Sequence, residues 1–330
     1  MLHLAGWAAP RTHGDEGDLM RGDDTDEFAL LAQNADEAGI PAGDPPRVRR
    51  IDVQTSAGRV SAIRWGDEPP QVVLLHGGGQ NAHTWDTVIL GLGVPALAVD
   101  LPGHGHSDWR EDHDYGPGRN AETVAEALAA WEVGGVPVVG MSMGGLTAIA
   151  LAARSPGTAT RIAVVDVTPS VLARVAHMTT RQRGTTALVG GTTIFDDLDS
   201  MVDAAVAAAP GRPRASMSRG VRHNARQLPD GRWTWRYDAQ QHSDATAYEG
   251  LWVDVESAPA PIMLVRGGDS AFVGDDDVAE LRRRRPDVAV EMVPGAGHSV
   301  QSDRPRELAA LLASWLGNRY ERAQAAPAAR

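Results

Sequence analysis

Val138-Val139-Gly140-Met141-Ser142-Met143-Gly144-Gly145-Leu146 decides how this chain is read, because an apolar run ends in Gly-x-Ser-x-Gly and a helix-like segment begins directly behind it. A strand that turns sharply into a helix strains the residue at the turn. Glycine on either side removes the side chains that would collide, and a serine hydroxyl at the tip stands clear of the sheet. The stretch is a candidate elbow for a nucleophilic serine, Ser142. With 36 glycines in 330 residues the pattern alone says little, so the strand before it and the helix after it must carry the inference.

Outward from the elbow, short β-rich runs alternate with longer helical ones. Residues 47–54 and 59–65 read as an opening hairpin around Ala57-Gly58, with Val53, Val60 and Ile63 among its apolar positions. Near-continuous apolar runs at 72–75, 95–99, 136–139, 161–165, 262–265 and 288–293 read as strands buried on both faces. Helices are expected at 121–131, 143–154, 276–285 and 305–316. The fold class this implies is α/β, a mostly parallel, doubly wound eight-stranded sheet. The rhythm stops between 168 and 260, far longer than a compact crossover between strands 6 and 7. That insertion is expected to form a helical lid, with helices at 198–209 and 215–227 and a strand at 233–237 after the Pro229-Asp230-Gly231 turn. The expected organisation is an acidic, partly disordered arm over 1–45, a core over 46–167 and 261–317, the lid over 168–260, and a frayed tail over 318–330.

Composition narrows the chemistry. There is no cysteine and no lysine, so disulfides, thiolate catalysis, a Schiff-base lysine and a phosphate-loop lysine are all excluded. The net charge of −12 is concentrated in residues 1–45, where ten acids face only Arg11 and Arg21. Such a balance argues against nucleic acid and anionic membrane surfaces as partners; the expected partner is a small-molecule substrate. Within the arm, Phe28, Leu30, Leu31, Ala35 and Ala38, followed by Gly39 and Pro41, suit one short docking helix. Neither a secretory signal nor a membrane span is visible, which makes the cytoplasm the default location.

A serine hydroxyl is a weak nucleophile at neutral pH and needs an imidazole base held by a carboxylate. His298 lies in Pro294-Gly295-Ala296-Gly297-His298-Ser299, a glycine-rich loop after the last strand, on the sheet edge that would also carry Ser142. Donors for a developing oxyanion are expected from the amides of Met143, directly after the nucleophile, and Gly78 in His76-Gly77-Gly78-Gly79. His76 reads as a structural histidine holding that loop. No metal-ligand spacing stands out among the histidines, and no metal or cofactor is required. In the lid, Arg219, Arg222 and Arg226 would share a helix face, more in keeping with a solvated surface than with carboxylate recognition, and Trp233, Trp235 and Tyr237 would pack on one side of a strand.

His76-Gly77-Gly78-Gly79, Asp100-Leu101-Pro102-Gly103-His104-Gly105-His106-Ser107, the serine elbow and Gly295-Ala296-Gly297-His298 follow one another in an order that resembles the α/β-hydrolase fold, specifically its capped esterases and lactonases. The resemblance covers residues 47–317. It implies that Asp100 organises a loop. It also implies a triad acid three residues past the glycine of the strand after the lid, but counting from Gly267 that position is Ser270, and Asp269 is one residue short. Some relatives carry the acid at the end of the strand after the nucleophile helix, where Asp166 stands. Asp166 is therefore the expected acid and Asp269 the alternative. The implied activity is hydrolysis of a small or medium carboxylic ester or lactone through an acyl-enzyme on Ser142, with His298 as general base and acid. The alternatives on the same fold are carbon-carbon bond hydrolysis, lyase or cofactor-free oxidative chemistry, and a non-catalytic binding protein.

Overall fold

The computed structural model describes residues 27–41, 46–189, 193–240 and 245–317, so the arm before residue 27 and the tail from residue 318 lie outside the described residues. The central sheet has eight strands in the order β1-β2-β4-β3-β5-β6-β10-β11. They are β1 (Val48–Thr55), β2 (Gly58–Trp65), β3 (Val72–Leu75), β4 (Ala96–Val99), β5 (Val136–Met141), β6 (Ala159–Val165), β10 (Ile262–Gly267) and β11 (Ala289–Val293). β2 pairs antiparallel with β1 and with β4, and every later pairing in this sheet is parallel. The opening hairpin closes at Thr55↔Gly58, with Gly58 at φ +105.

Helices cover both faces, which is why the central strands are apolar without alternation. On one face α3 (Pro117–Ala130), α4 (Met143–Arg154), α10 (Leu251–Ser257) and α11 (Asp275–Arg284) bury Val124, Leu128, Ile149, Val255 and Leu281 against the sheet. On the other, α2 (Asp86–Leu92) and α12 (Pro305–Leu316) bury Val88, Leu92, Leu308 and Leu312. The short α1 (Leu31–Glu37) follows Phe28, and Phe28 and Leu31 pack against this second cluster, as a docking helix requires.

The chain leaves the sheet after β6 through α5 (Val171–Ala176) and α6 (Thr180–Arg183) and returns through α9 (Ala245–Glu249) and α10. Between them, β7 (Ile194–Phe195), β8 (Ala225–Gln227) and β9 (Trp233–Trp235) form a small sheet in the order β7-β9-β8, accompanied by α7 (Leu198–Ala208) and α8 (Arg214–Asn224). This layer has its own core of Met201, Val202, Met217, Val221, Trp235 and Tyr237. By contrast, Leu251 and Val255 of α10 belong to the core under the main sheet. The helix expected over 215–227 ends at Asn224, because residues 225–227 pair instead with β9 across the hairpin, with Arg226↔Thr234 in register. No helix among the described residues is long and apolar enough to cross a membrane.

Candidate active site

Register brings the chemistry to one edge. Leu75 pairs with Gly140, Met141 with Val165, and Val165 with Val265, so the segments that follow β3, β5, β6 and β10 leave the sheet side by side. Ser142 sits at φ 51 and ψ −120, a conformation that costs on the order of 1–3 kcal/mol for a non-glycine residue. It is held there by its amide, which donates to the Val165 carbonyl at 3.0 Å, and by α4, which starts at the next residue. A Cβ on Gly140 would stand 2.1 Å from the Gly144 carbonyl oxygen, and one on Gly144 2.3 Å from that of Leu75. Those two glycines are what allow the elbow to close.

Ser142 Oγ lies 3.1 Å from His298 Nε2, and His298 Nδ1 lies 2.8 Å from Asp166 Oδ2. A carboxylate oxygen only accepts, so Nδ1 carries the proton and Nε2 is left as the acceptor for the serine hydroxyl. Asp166 is fully buried at φ 55 at the end of β6. Its Oδ1 accepts the Gly267 amide at 2.9 Å, and Ser270 donates its hydroxyl to Oδ2. The alternative acid is not joined to this chain of bonds: Asp269 donates its amide to the Ala296 carbonyl at 2.9 Å, its side chain is exposed, and it makes no hydrogen bond to His298. The loop turns after Gly267 so that position 270, not 269, faces inward. Two partners escaped sequence reasoning. One is the Ser270 hydroxyl, whose only signal is that it occupies the place where an acid was expected. The other is Phe272, whose ring stacks on His298 at 3.4 Å and 12° and carries no sequence signal.

The loop after β3 is shaped by two buried histidines. His76 accepts the Leu101 amide at Nε2 (2.9 Å) and faces the Gly77 carbonyl with Nδ1 (2.8 Å). His104 does the same for the Gly79 amide at 3.1 Å and the Pro102 carbonyl at 3.0 Å. Burial lowers the basicity of both rings, and His104, with His76 beside it, is pushed down to about 3, so each remains neutral and able to accept. Gly77 donates its amide to Gln80 Oε1 at 3.1 Å. The amides of Gly78 and Met143 have no hydrogen-bond partner among the described residues. Asp100 organises the neighbouring loop, accepting from the Ala82 amide (2.7 Å), the His106 amide (3.0 Å) and Arg50 (2.7 Å). Burial opposes its ionisation, but Arg50 and those amides outweigh it and hold the carboxyl below its usual range.

Residues 72–311 match the model of the alpha/beta hydrolase family. The chain belongs to that family. It is 54% identical to the esterase Rv0045c of Mycobacterium tuberculosis over 89% of this chain and 97% of that one. A structure of the M. tuberculosis esterase, described together with its inhibition by transition metals, superposes with a TM-score of 0.78 at 53% identity, covering 89% of this chain and 99% of its own. The 2-(acetamidomethylene)succinate hydrolase of Mesorhizobium japonicum is 26% identical over 82% of this chain and 95% of its own.

In this hydrolase a cavity of about 210 Å³ starts at Gly78 and Gly79 and runs between the first turn of α2 and the layer formed by α7 and α8, where Leu188, Trp235 and Tyr237 line it. The arginine face expected on the insertion is divided. Arg219 also lines the cavity but is paired with Glu37 of α1 (Nη1 to Oε1, 2.9 Å), whereas Arg226 lies on β8 with its guanidinium over Trp109 at 4.8 Å. Of the three aromatic residues of the hairpin, Trp235 and Tyr237 are buried and stack at 6.0 Å, so they pack as expected.

Proposed function

We propose that this chain is a serine hydrolase of small or medium carboxylic esters, lactones included. The hydrogen-bonded line from Ser142 through His298 to Asp166 carries the reading. Ser142 Oγ attacks the ester carbonyl while His298 Nε2 takes its proton. The oxyanion settles on the amides of Gly78 and Met143, and the same imidazole then protonates the leaving alkoxide. Water repeats the sequence on the acyl-enzyme, releasing the acid and restoring the serine. Asp166 keeps the proton on Nδ1 and balances the imidazolium in each half-reaction.

The 168–260 insertion would act as a lid that sets specificity, since the cavity beside Gly78 is walled on one side by its residues. The esterase name of the M. tuberculosis relative supports ester hydrolysis, and its reported inhibition extends to this chain as an expected sensitivity to transition-metal ions. Ser142→Ala should abolish both the burst with p-nitrophenyl butyrate and labelling by a fluorophosphonate. A folded Ser142→Ala protein that keeps its burst would overturn the reading.

A further inference from the structure

On the wall of the same cavity the chain brings together three side chains that the mechanism does not use. His83 belongs to the helical turn over Ala82–Trp85, Asp86 opens α2, and His223 lies in the last turn of α8. Each offers one donor atom, and the three atoms lie within 4.8 Å of one another. We infer that His83, Asp86 and His223 form a binding site for a divalent transition-metal ion of the zinc, nickel or copper type, which would tie the 168–260 insertion to the core. The site gives a place to the metal sensitivity expected above but rests on these side chains alone.

The donor set selects the ion. Two imidazole nitrogens and one carboxylate oxygen suit borderline cations, whereas magnesium and calcium prefer all-oxygen shells. A second observation suits a cation ligand: Asp86 is 2% exposed, and its Oδ1 is buried with no hydrogen-bond partner among the described residues. A buried, unpartnered carboxylate oxygen is costly, and a metal ion would satisfy it. Access is provided, because all three residues line the cavity.

Without an ion the cluster is held by other contacts. His83 Nδ1 lies 2.9 Å from Asp86 Oδ2, its Nε2 lies 3.3 Å from Glu27 Oε2, and its ring stacks on His223 at 3.7 Å. Both His83 nitrogens face carboxylate oxygens, which only accept, so binding releases one of its protons to solvent and requires the two rings to tilt out of that stack until a lone pair of each points at the ion. Glu27 is close enough to act as a fourth donor or to orient His83 from outside the coordination shell. Arg50, paired with Glu27 at 2.9 Å, opposes a cation at this place and should keep the affinity moderate. Two donors come from the core and one from the insertion, so the bound ion acts as a clip across the cavity.

The test is calorimetric titration of the EDTA-treated, full-length protein with zinc chloride. Uptake at this site should weaken by at least about tenfold in His223→Gln and in Asp86→Asn, and should persist in His298→Ala. Should Asp86→Asn fail to fold, His83→Gln replaces it. In the wild-type protein loaded with one equivalent of copper, pulsed EPR should count two imidazole ligands. Zinc binding that survives His223→Gln, or that disappears in His298→Ala alone, would put the ion at the catalytic histidine and overturn the proposal, as would a count of one imidazole. Binding is read without turnover, so a failed hydrolytic assignment would leave this result untouched, and the converse also holds.

Discussion

Replacing Asp166 with asparagine tests the assignment on which the catalytic geometry depends. Asparagine is the same size, and its Oδ1 can keep the Gly267 amide bond of 2.9 Å. Its amino group must then occupy the place of Oδ2, 2.8 Å from His298 Nδ1, and there it can only donate. The imidazole responds by accepting at Nδ1 and carrying its proton on Nε2, the nitrogen 3.1 Å from Ser142 Oγ. A protonated Nε2 cannot take the serine proton. The expected loss in kcat is that of a wrong-tautomer triad, about 10⁴-fold or roughly 5 kcal/mol of transition-state stabilisation. Steady-state hydrolysis of p-nitrophenyl butyrate and the rate of fluorophosphonate labelling measure it, with thermal melting as the check on folding. Asp269→Asn is the matched control, and because that side chain is exposed and apart from His298 it should stay within about twofold of wild type. A folded Asp166→Asn enzyme within about tenfold of wild type would refute the reasoning.

Ser270→Ala removes the hydroxyl that donates to Asp166 Oδ2 and should cost about 1–2 kcal/mol, or about 5–30-fold in kcat/KM; unchanged kinetics would mean that the serine does not support the acid. Gly77 and Gly78 should differ in tolerance. A Cβ on Gly77 meets Met141 Sδ at 2.5 Å and Ser142 Cβ at 3.3 Å, whereas one on Gly78 meets nothing within 4 Å, so Gly77→Ala should lower Tm while Gly78→Ala keeps it. Equal melting temperatures in the two variants would count against the loop geometry. His104 makes stability depend on acid. Its folded value of about 3 lies below the ordinary 6.5, so its contribution is complete above pH 6.5 and is lost as pH falls from 6.5 toward 3. The slope it adds is at most about 1.4 kcal/mol per pH unit. Urea unfolding at pH 7, 5.5 and 4.5 should give a shallower acid dependence for His104→Gln than for wild type, and parallel curves would remove His104 from the account.

Much of the site was legible because its parts are local. The apolar run before Ser142, the glycines around it and the glycine-rich loop carrying His298 each express a constraint within a few residues: a strand, a turn that excludes side chains, a loop at a strand end. Asp166 was harder. Only the resemblance to relatives whose acid ends the strand after the nucleophile helix favours it over Asp269, and a side chain's reach across a loop is not written in its spacing. The helix over 215–227 went wrong at its end for a related reason, since residues 225–227 answer to β9 rather than to their own periodicity.

The order of residues by itself determined a parallel sheet with a serine elbow, a histidine loop at the same edge, and a long interruption between the strands now seen as β6 and β10. Those features follow from backbone sterics and the burial of apolar runs, which act over short distances. Only the tertiary structure decided that Ser270 and Phe272 brace Asp166 and His298. Only it placed His83 and Asp86 beside His223, from helices about 140 residues apart in the chain. Contacts of that kind depend on how separate elements are packed against one another, and no local pattern encodes the angle at which two packed elements present their side chains.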